Sequence, residues 1–342
     1  MHLESIQATL LSTTVTLSIL ALCFTYNGII SFMPKMRAAR LAGFDLNKKG
    51  GPLESKDPVP ESLGLISGVF FIFVTIILNL CFPALNLNSV SLTIALMLFL
   101  GFADDVLNFR WLIKIIVPFV CMIPLISSYA GSSHLIVPFL GRINLSYSIY
   151  AIIGALIIFS INAINIHAGI NGIEVGQSLV IGSFLLFLVL RGETTDANIS
   201  AAVLLLVFLA VSLPLFYFNK YPSRVFVGDT FCYFAGAVLG AAAILSNRII
   251  EYSFLLLPQI LNFVLSIPQL LNFIPCPRHR LPRYDPADNK LHAVWPNHYT
   301  LINLYLKLFG AEYEGILTTK MMLLQATFCL IGLQFAKYIT LE

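Results

Sequence analysis

The sequence predicts an all-α polytopic membrane protein, with about ten transmembrane helices in a single integral-membrane domain over residues 1–342. Three observations carry this. Hydrophobic residues make up 58% of the chain and charged residues only 11%, against ~25% charged in a soluble domain. The apolar residues come in runs close to the ~20 residues that cross a hydrocarbon core as a helix. The basic residues are split unevenly between the two sets of connections, 16 against 4.

The first apolar run, 7–33, lacks a preceding basic segment and is longer than the apolar part of a signal peptide, so it is expected to be kept as a span. Further spans are expected near 63–86, 89–105, 113–130, 147–166, 175–190, 199–218, 229–247, 251–273 and 319–340. The third and sixth are short, as suits a helix end that lines a protein-enclosed cavity. The run YTLINLYLKLF (299–309) is too short to cross and is expected to lie on the interface or fold back over the membrane face.

Connections after odd-numbered spans hold the 16 basic residues, including Lys35, Arg37, Lys48, Arg110, Lys114, Lys220, Arg280 and Lys307. The others hold only Arg142, Arg191, Arg248 and Lys337. The positive-inside rule puts the first set in the cytosol and both termini on the opposite, luminal side. The polar stretches of unusual composition, about 34–62, 101–114, 162–177, 219–229 and 274–318, then all face the cytosol. The two glycosylation sequons, at Asn144 and Asn198, fall on the other face close to the membrane and are read as unused. Five of the six cysteines lie in apolar runs and behave as small hydrophobes, and the sixth, Cys276, joins no zinc or disulfide pattern. A net charge of +3 with no basic stripe gives no reason to invoke nucleic acid.

Four stretches carry chemistry. GFADDVLNFRW puts Asp104 and Asp105 at the end of an apolar run, with Asn108 and Lys114 following. Carboxylates at that depth are costly unless they have a task, and beside a lysine they suit a divalent cation or a phosphate. FSINAINIHAGINGIEVGQS interrupts two apolar runs with Asn162, Asn165 and Asn171 among glycines. Asparagine offers a carbonyl oxygen to a hard cation and an amide to a base or sugar. YPSRVFVGDTFCYFAG carries Phe226 and Asp229, where an aspartate is either a helix cap or a cation ligand. CPRHRLPR sets Arg278, His279 and Arg280 in a proline-stiffened loop, with planar forks for phosphate oxygens.

These four stretches, with DLNK (45–48) and PES (60–62), closely resemble the eukaryotic UDP-N-acetylglucosamine–dolichyl-phosphate N-acetylglucosaminephosphotransferases, the tunicamycin-sensitive family within the polyprenyl-phosphate N-acetylhexosamine-1-phosphate transferase superfamily. The resemblance runs from residue 45 to about 284, and the last ~55 residues carry little of it. Arg-His-Arg at 278–280 is the eukaryotic pattern, where bacterial relatives are histidine-rich. His167 departs from the family, standing where an aliphatic residue is expected, and is read as satisfied or solvent-facing.

The resemblance implies transfer of N-acetylglucosamine 1-phosphate from UDP-GlcNAc to dolichyl phosphate at the cytosolic face of the endoplasmic reticulum, by a homodimer using Mg²⁺. It implies Asp229 and Asn165 as Mg²⁺ ligands, and Phe226 stacking on uracil with Asn171 at the base edge. Arg278 and Arg280 would clamp the diphosphate and His279 would read the sugar. Asp104, Asp105, Asn108 and Lys114 would serve the acceptor, with Glu61 a further substrate contact. Direct in-line displacement is expected, because a phosphomonoester with a second pKa of ~6 needs no strong base. Three other readings stay open on the residues: a transferase for another sugar or prenyl carrier, a nucleotide-sugar transporter, and a non-catalytic scaffold.

Overall fold

A computed structural model describes residues 2–129, 131–137, 141–277 and 280–339; Arg278 and His279 lie outside the described residues. Thirteen helices form among the described residues. In order they are α1 (His2–Ala38), α2 (Gly64–Cys81), α3 (Asn88–Leu107), α4 (Ile113–Cys121), α5 (Ile123–Ser127), α6 (Ser148–Ile166), α7 (Ile173–Leu190), α8 (Asp196–Asn219), α9 (Gly228–Leu245), α10 (Ile249–Leu255), α11 (Leu257–Leu270), α12 (Leu301–Phe309) and α13 (Glu314–Ile339). Three two-stranded antiparallel ribbons join them: β1 (Ala42–Gly43) with β2 (Val59–Pro60), β3 (His134–Val137) with β4 (Gly141–Asn144), and β5 (Arg283–Asp285) with β6 (Lys290–His292).

Eight of these helices are long and apolar enough to cross a membrane alone, and α10 with α11, bent by 67°, would make a ninth. Two of the about ten spans read from the sequence are therefore broken helices rather than single ones. The expected span at 113–130 is two helices of 9 and 5 residues meeting at Met122, with Pro118 inside the first and Pro124 opening the second. Together they reach about 22 Å at ~1.5 Å per residue, short of a ~30 Å hydrocarbon core. The expected span at 251–273 breaks at Leu256, just before Pro258. In both places the apolar run is continuous in sequence, but proline removes a backbone donor and crowds the preceding turn.

Both broken pairs still carry the chain from one face to the other. Lys114 stands among the carboxylates of the cavity described below, whereas β3 lies against α10 at the opposite end of the bundle. The short run at 301–309 forms α12, which folds onto α11 and buries Leu301, Ile302 and Leu306.

The bundle is organised around α9, 83% of whose span is buried inside the protein, against 17% for the peripheral α1. It touches α2, α3, α6, α7, α8 and α10. Its small residues make this possible, because lipid gives helices no hydrophobic drive to associate and close backbone approach supplies the packing. A Cβ at Gly236 would lie 2.5 Å from the Ile161 nitrogen of α6, and one at Gly101 of α3 would lie 2.8 Å from the Thr230 Cα. Side-chain amides lock the other side of the bundle: the Gln259 amide donates to both Gln177 and Gln325, each at 2.6 Å, tying α11 to α7 and α13.

His167 is not solvent-facing. It caps α6, is 4% exposed, and its Nδ1 has no partner among the described residues. Burial pushes its pKa down to about 4, so the ring is neutral at neutral pH.

Candidate active site

The loops at one end of the bundle enclose a cavity of about 830 Å³. Glu61, Asp104, Asp105, Asn108, Asn165, Asn171, Phe226, Asp229 and Arg280, nine of the residues singled out in the sequence, all line it. Lys114 reaches its carboxylates from α4. Residues from five separate polar stretches thus meet at one end of the bundle, as the charge asymmetry predicts.

The two adjacent aspartates of α3 do different work. Asp105 points at the start of α9: its Oδ1 accepts from the Asp229 N–H at 2.6 Å, and its Oδ2 from the Thr230 N–H at 3.2 Å and hydroxyl at 2.5 Å. A helix start leaves amide donors without intrahelical partners and carries partial positive charge. Asp105 satisfies both needs from another helix, and so fixes where Asp229 stands. Gly228 makes this seat possible, because its φ is +75° and a Cβ there would overlap the Asp105 carboxylate.

Asp104 is 2% exposed and turns the other way. Its Oδ2 lies 2.7 Å from the Lys114 ammonium, which also lies 2.8 Å from Asp229 Oδ2. Lys114 therefore holds two carboxylates from different helices together. The other oxygen of Asp229 accepts from the Asn165 amide at 2.6 Å. Asn108 ends α3 in the left-handed region at φ 51°, its N–H bonded to the Asp104 carbonyl at 2.7 Å. Asn108→Gly should leave the melting temperature within a few degrees. Asn108→Val should lower it measurably, since an unfavourable left-handed residue costs about 1–2 kcal/mol.

Phe226 is held by its backbone. Its N–H donates to the Pro60 carbonyl at 2.8 Å, and its carbonyl accepts from Leu63 at 3.2 Å, so PES and the segment before α9 are pinned to each other. Arg280 brings a half-buried guanidinium whose Nη1 has no partner among the described residues. Burial lowers its pKa from the usual value, but a guanidinium remains charged at neutral pH. A desolvated cation without a protein anion is a place for a ligand's negative charge.

Asn171 is more constrained than its sequence suggests. Its Oδ1 accepts from Lys48 at 2.5 Å and from the Ser223 N–H at 2.9 Å, and its Nδ2 donates to Asp45 at 3.0 Å. Lys48 is also paired with Asp45 and Glu314, and lies 5.0 Å from the Tyr221 ring centre. Burial first, then the Glu314 charge, raises the Tyr221 phenol above its ordinary value.

Sequence reasoning missed the roles of Asp45, Asn47, Lys48, Glu174 and Glu314. Glu174 lines the cavity and sits three residues after Asn171 in a stretch already marked as unusual. Glu314 carries no motif; its only signal is an acid opening an apolar run, which is costly without a partner.

A divalent cation fits the chemistry of the carboxylate end. Asp229 and Asp104 offer hard carboxylate oxygens, and Asn165, whose amide nitrogen donates to Asp229, also carries a carbonyl oxygen. Mg²⁺ commonly takes one or two protein carboxylates and completes its shell with water and substrate phosphates.

Residues 87–247 match the model of glycosyl transferase family 4. Over 90% of its length the chain is 36% identical to the UDP-N-acetylglucosamine–dolichyl-phosphate N-acetylglucosaminephosphotransferase of Dictyostelium discoideum, covering 84% of that protein. The Saccharomyces cerevisiae protein of the same name is 34% identical over 75% of this chain and 67% of its own. The Leishmania amazonensis one is 30% identical over 90% of each. With the cavity residues above falling on the loops that carry the family's motifs, this chain belongs to the UDP-N-acetylglucosamine–dolichyl-phosphate N-acetylglucosaminephosphotransferase family.

Proposed function

We propose that the chain transfers N-acetylglucosamine 1-phosphate from UDP-GlcNAc to dolichyl phosphate, giving dolichyl-diphosphate-GlcNAc and UMP, the first step in assembling the lipid-linked N-glycan precursor. The observation that carries this is the make-up of one cavity. It combines carboxylate and amide oxygens, a guanidinium whose Nη1 has no partner among the described residues and an aromatic ring with a lysine–carboxylate cluster at its edge. That edge adjoins Trp111 and Leu112, exposed by 71% and 51%, where a lipid-borne phosphate meets the membrane.

In this reading Arg280 takes the diphosphate and Phe226 the uracil face, while Lys114 draws in the acceptor phosphate and Asp104 orients it. Asp105 acts through α9 by holding Asp229 in place. A phosphate oxygen of the acceptor attacks the β-phosphorus in line; the bond from that phosphorus to the bridging oxygen breaks, and UMP departs with the electron pair. Bound at Asp229 and Asn165, Mg²⁺ would neutralise charge on the diphosphate, the main need of phosphoryl transfer. The acceptor is largely dianionic above its second pKa of ~6, so no covalent enzyme intermediate is needed. Trapping an aspartyl-phosphate sugar would overturn this step.

The same reading puts the cavity in the cytosol and both termini in the lumen of the endoplasmic reticulum, following the basic residues, and makes the working form a homodimer, following the family. Purified protein given UDP-[³H]GlcNAc, dolichyl phosphate and Mg²⁺ should send label into the organic phase. Excess EDTA should abolish the transfer and added Mg²⁺ restore it; label transfer unaffected by EDTA would remove the metal from the mechanism. UDP-GalNAc in place of UDP-GlcNAc should give no labelled lipid.

A further inference from the structure

We infer that Glu314, which opens α13, and Thr318, one turn later, are positioning residues for the nucleotide-sugar end of the cavity. They would act through Asn171 and Lys48. The inference rests on the proposed function for what the cavity binds, and on its own geometry for the rest.

Glu314 is 3% exposed, and both its carboxylate oxygens are used. One accepts from the Asn171 N–H at 2.8 Å and from the Asn47 amide at 3.1 Å; the other accepts from the Lys48 ammonium at 3.2 Å. One turn later the Thr318 hydroxyl donates to the Asn171 carbonyl at 2.9 Å. The start of α13 therefore grips both backbone polar groups of Asn171, while Lys48, Asp45 and Ser223 hold its side chain. The Asn47 amide also donates to the Gly169 carbonyl at 2.8 Å, so the loop between α6 and α7 is held at two points.

This is more than a buried ion pair. Lys48 and Asp45 arrive from the loop after α1, Asn171 from the loop before α7, and Ser223 from the segment before α9. The Glu314 side chain touches two of these segments. Asp45, Asn47, Gly169 and Asn171 line the cavity, whereas Glu314 and Lys48 stand behind that wall. The acceptor residues Asp104 and Lys114 belong to α3 and α4 and share no hydrogen bond with this junction. Loosening the junction should therefore weaken the hold on UDP-GlcNAc and spare both the acceptor and the chemical step.

The test compares Glu314→Gln and Thr318→Val with wild type, in detergent with Mg²⁺. It measures kcat, KM for each substrate and the Kd of UDP-GlcNAc without acceptor. Losing a hydrogen-bonded buried charge should raise KM and Kd for UDP-GlcNAc by about ten- to a hundred-fold in Glu314→Gln, and losing a neutral hydrogen bond by about three- to ten-fold in Thr318→Val. Both should keep kcat and the KM for dolichyl phosphate within about two-fold. Unchanged KM and Kd in the two variants would overturn the inference, as would a parallel fall in kcat and both affinities. Should Glu314→Gln fail to fold, Thr318→Val decides alone by the same split. The Kd keeps this separate from the proposed reaction. A wild type that binds UDP-GlcNAc but transfers nothing refutes the reaction, and the variants' Kd still tests the junction. A wild type that does not bind it overturns both.

Discussion

Replacing Asp229 with asparagine should lower transfer to dolichyl phosphate by about a hundred- to a thousand-fold, because the cation proposed to neutralise the diphosphate would lose a carboxylate ligand. The change keeps size and shape but removes the charge that faces both Lys114 and Asn165. It should leave folding intact. The Asp229 side chain is 26% exposed, and what anchors α9 is the Asp229 backbone N–H bonded to Asp105. The variant should elute and melt as wild type does while its kcat/KM collapses. An activity within about three-fold of wild type would mean that the cation proposed to neutralise the diphosphate is held elsewhere in the cavity.

Gly228→Ala should have the largest effect on the fold itself. The φ of +75° costs a side chain about 1–2 kcal/mol. The added Cβ also overlaps the Asp105 carboxylate, which would be driven from its donors on Asp229 and Thr230. Breaking a buried charge away from its partners costs about 3–5 kcal/mol, and the two together approach the whole stability of an ordinary domain, about 5–15 kcal/mol. Little monodisperse protein should survive size-exclusion chromatography. Gly141→Ala is the control: its φ is +72° and no described atom lies within 4 Å of the added Cβ, so it should cost only the backbone strain, about 1–2 kcal/mol, and still yield folded protein. Equal behaviour of the two variants would contradict the account of how α9 is seated.

The sequence makes the site legible where polarity breaks an apolar run. Asp104, Asn165 and Asp229 are visible because each stands at the end of a hydrophobic stretch, and helix ends at one face must converge. The division of labour between Asp104 and Asp105 is not visible, since adjacent carboxylates look alike until one is found capping another helix. Glu314 is invisible for a related reason: its partners Asn47, Lys48 and Asn171 lie far away in sequence, and no local pattern records such a meeting. The breaks inside two of the spans are hidden for a local reason instead. Hydropathy counts apolar residues and ignores the prolines that break α4 from α5 and α10 from α11. His167 shows a third limit, as burial beside a helix end depends on packing that its neighbours in sequence do not reveal.

The most direct test of the central claim follows the phosphorus atom. Protein in detergent with Mg²⁺ and dolichyl phosphate would receive UDP-GlcNAc labelled with ³²P at the β-phosphate. The account predicts that the label moves with the sugar into the lipid product and that the nucleotide released is unlabelled UMP. Label retained in UDP, with only the sugar reaching the lipid, would mean attack at the sugar carbon, and would contradict the account of a cavity built to hold two phosphates for transfer between them.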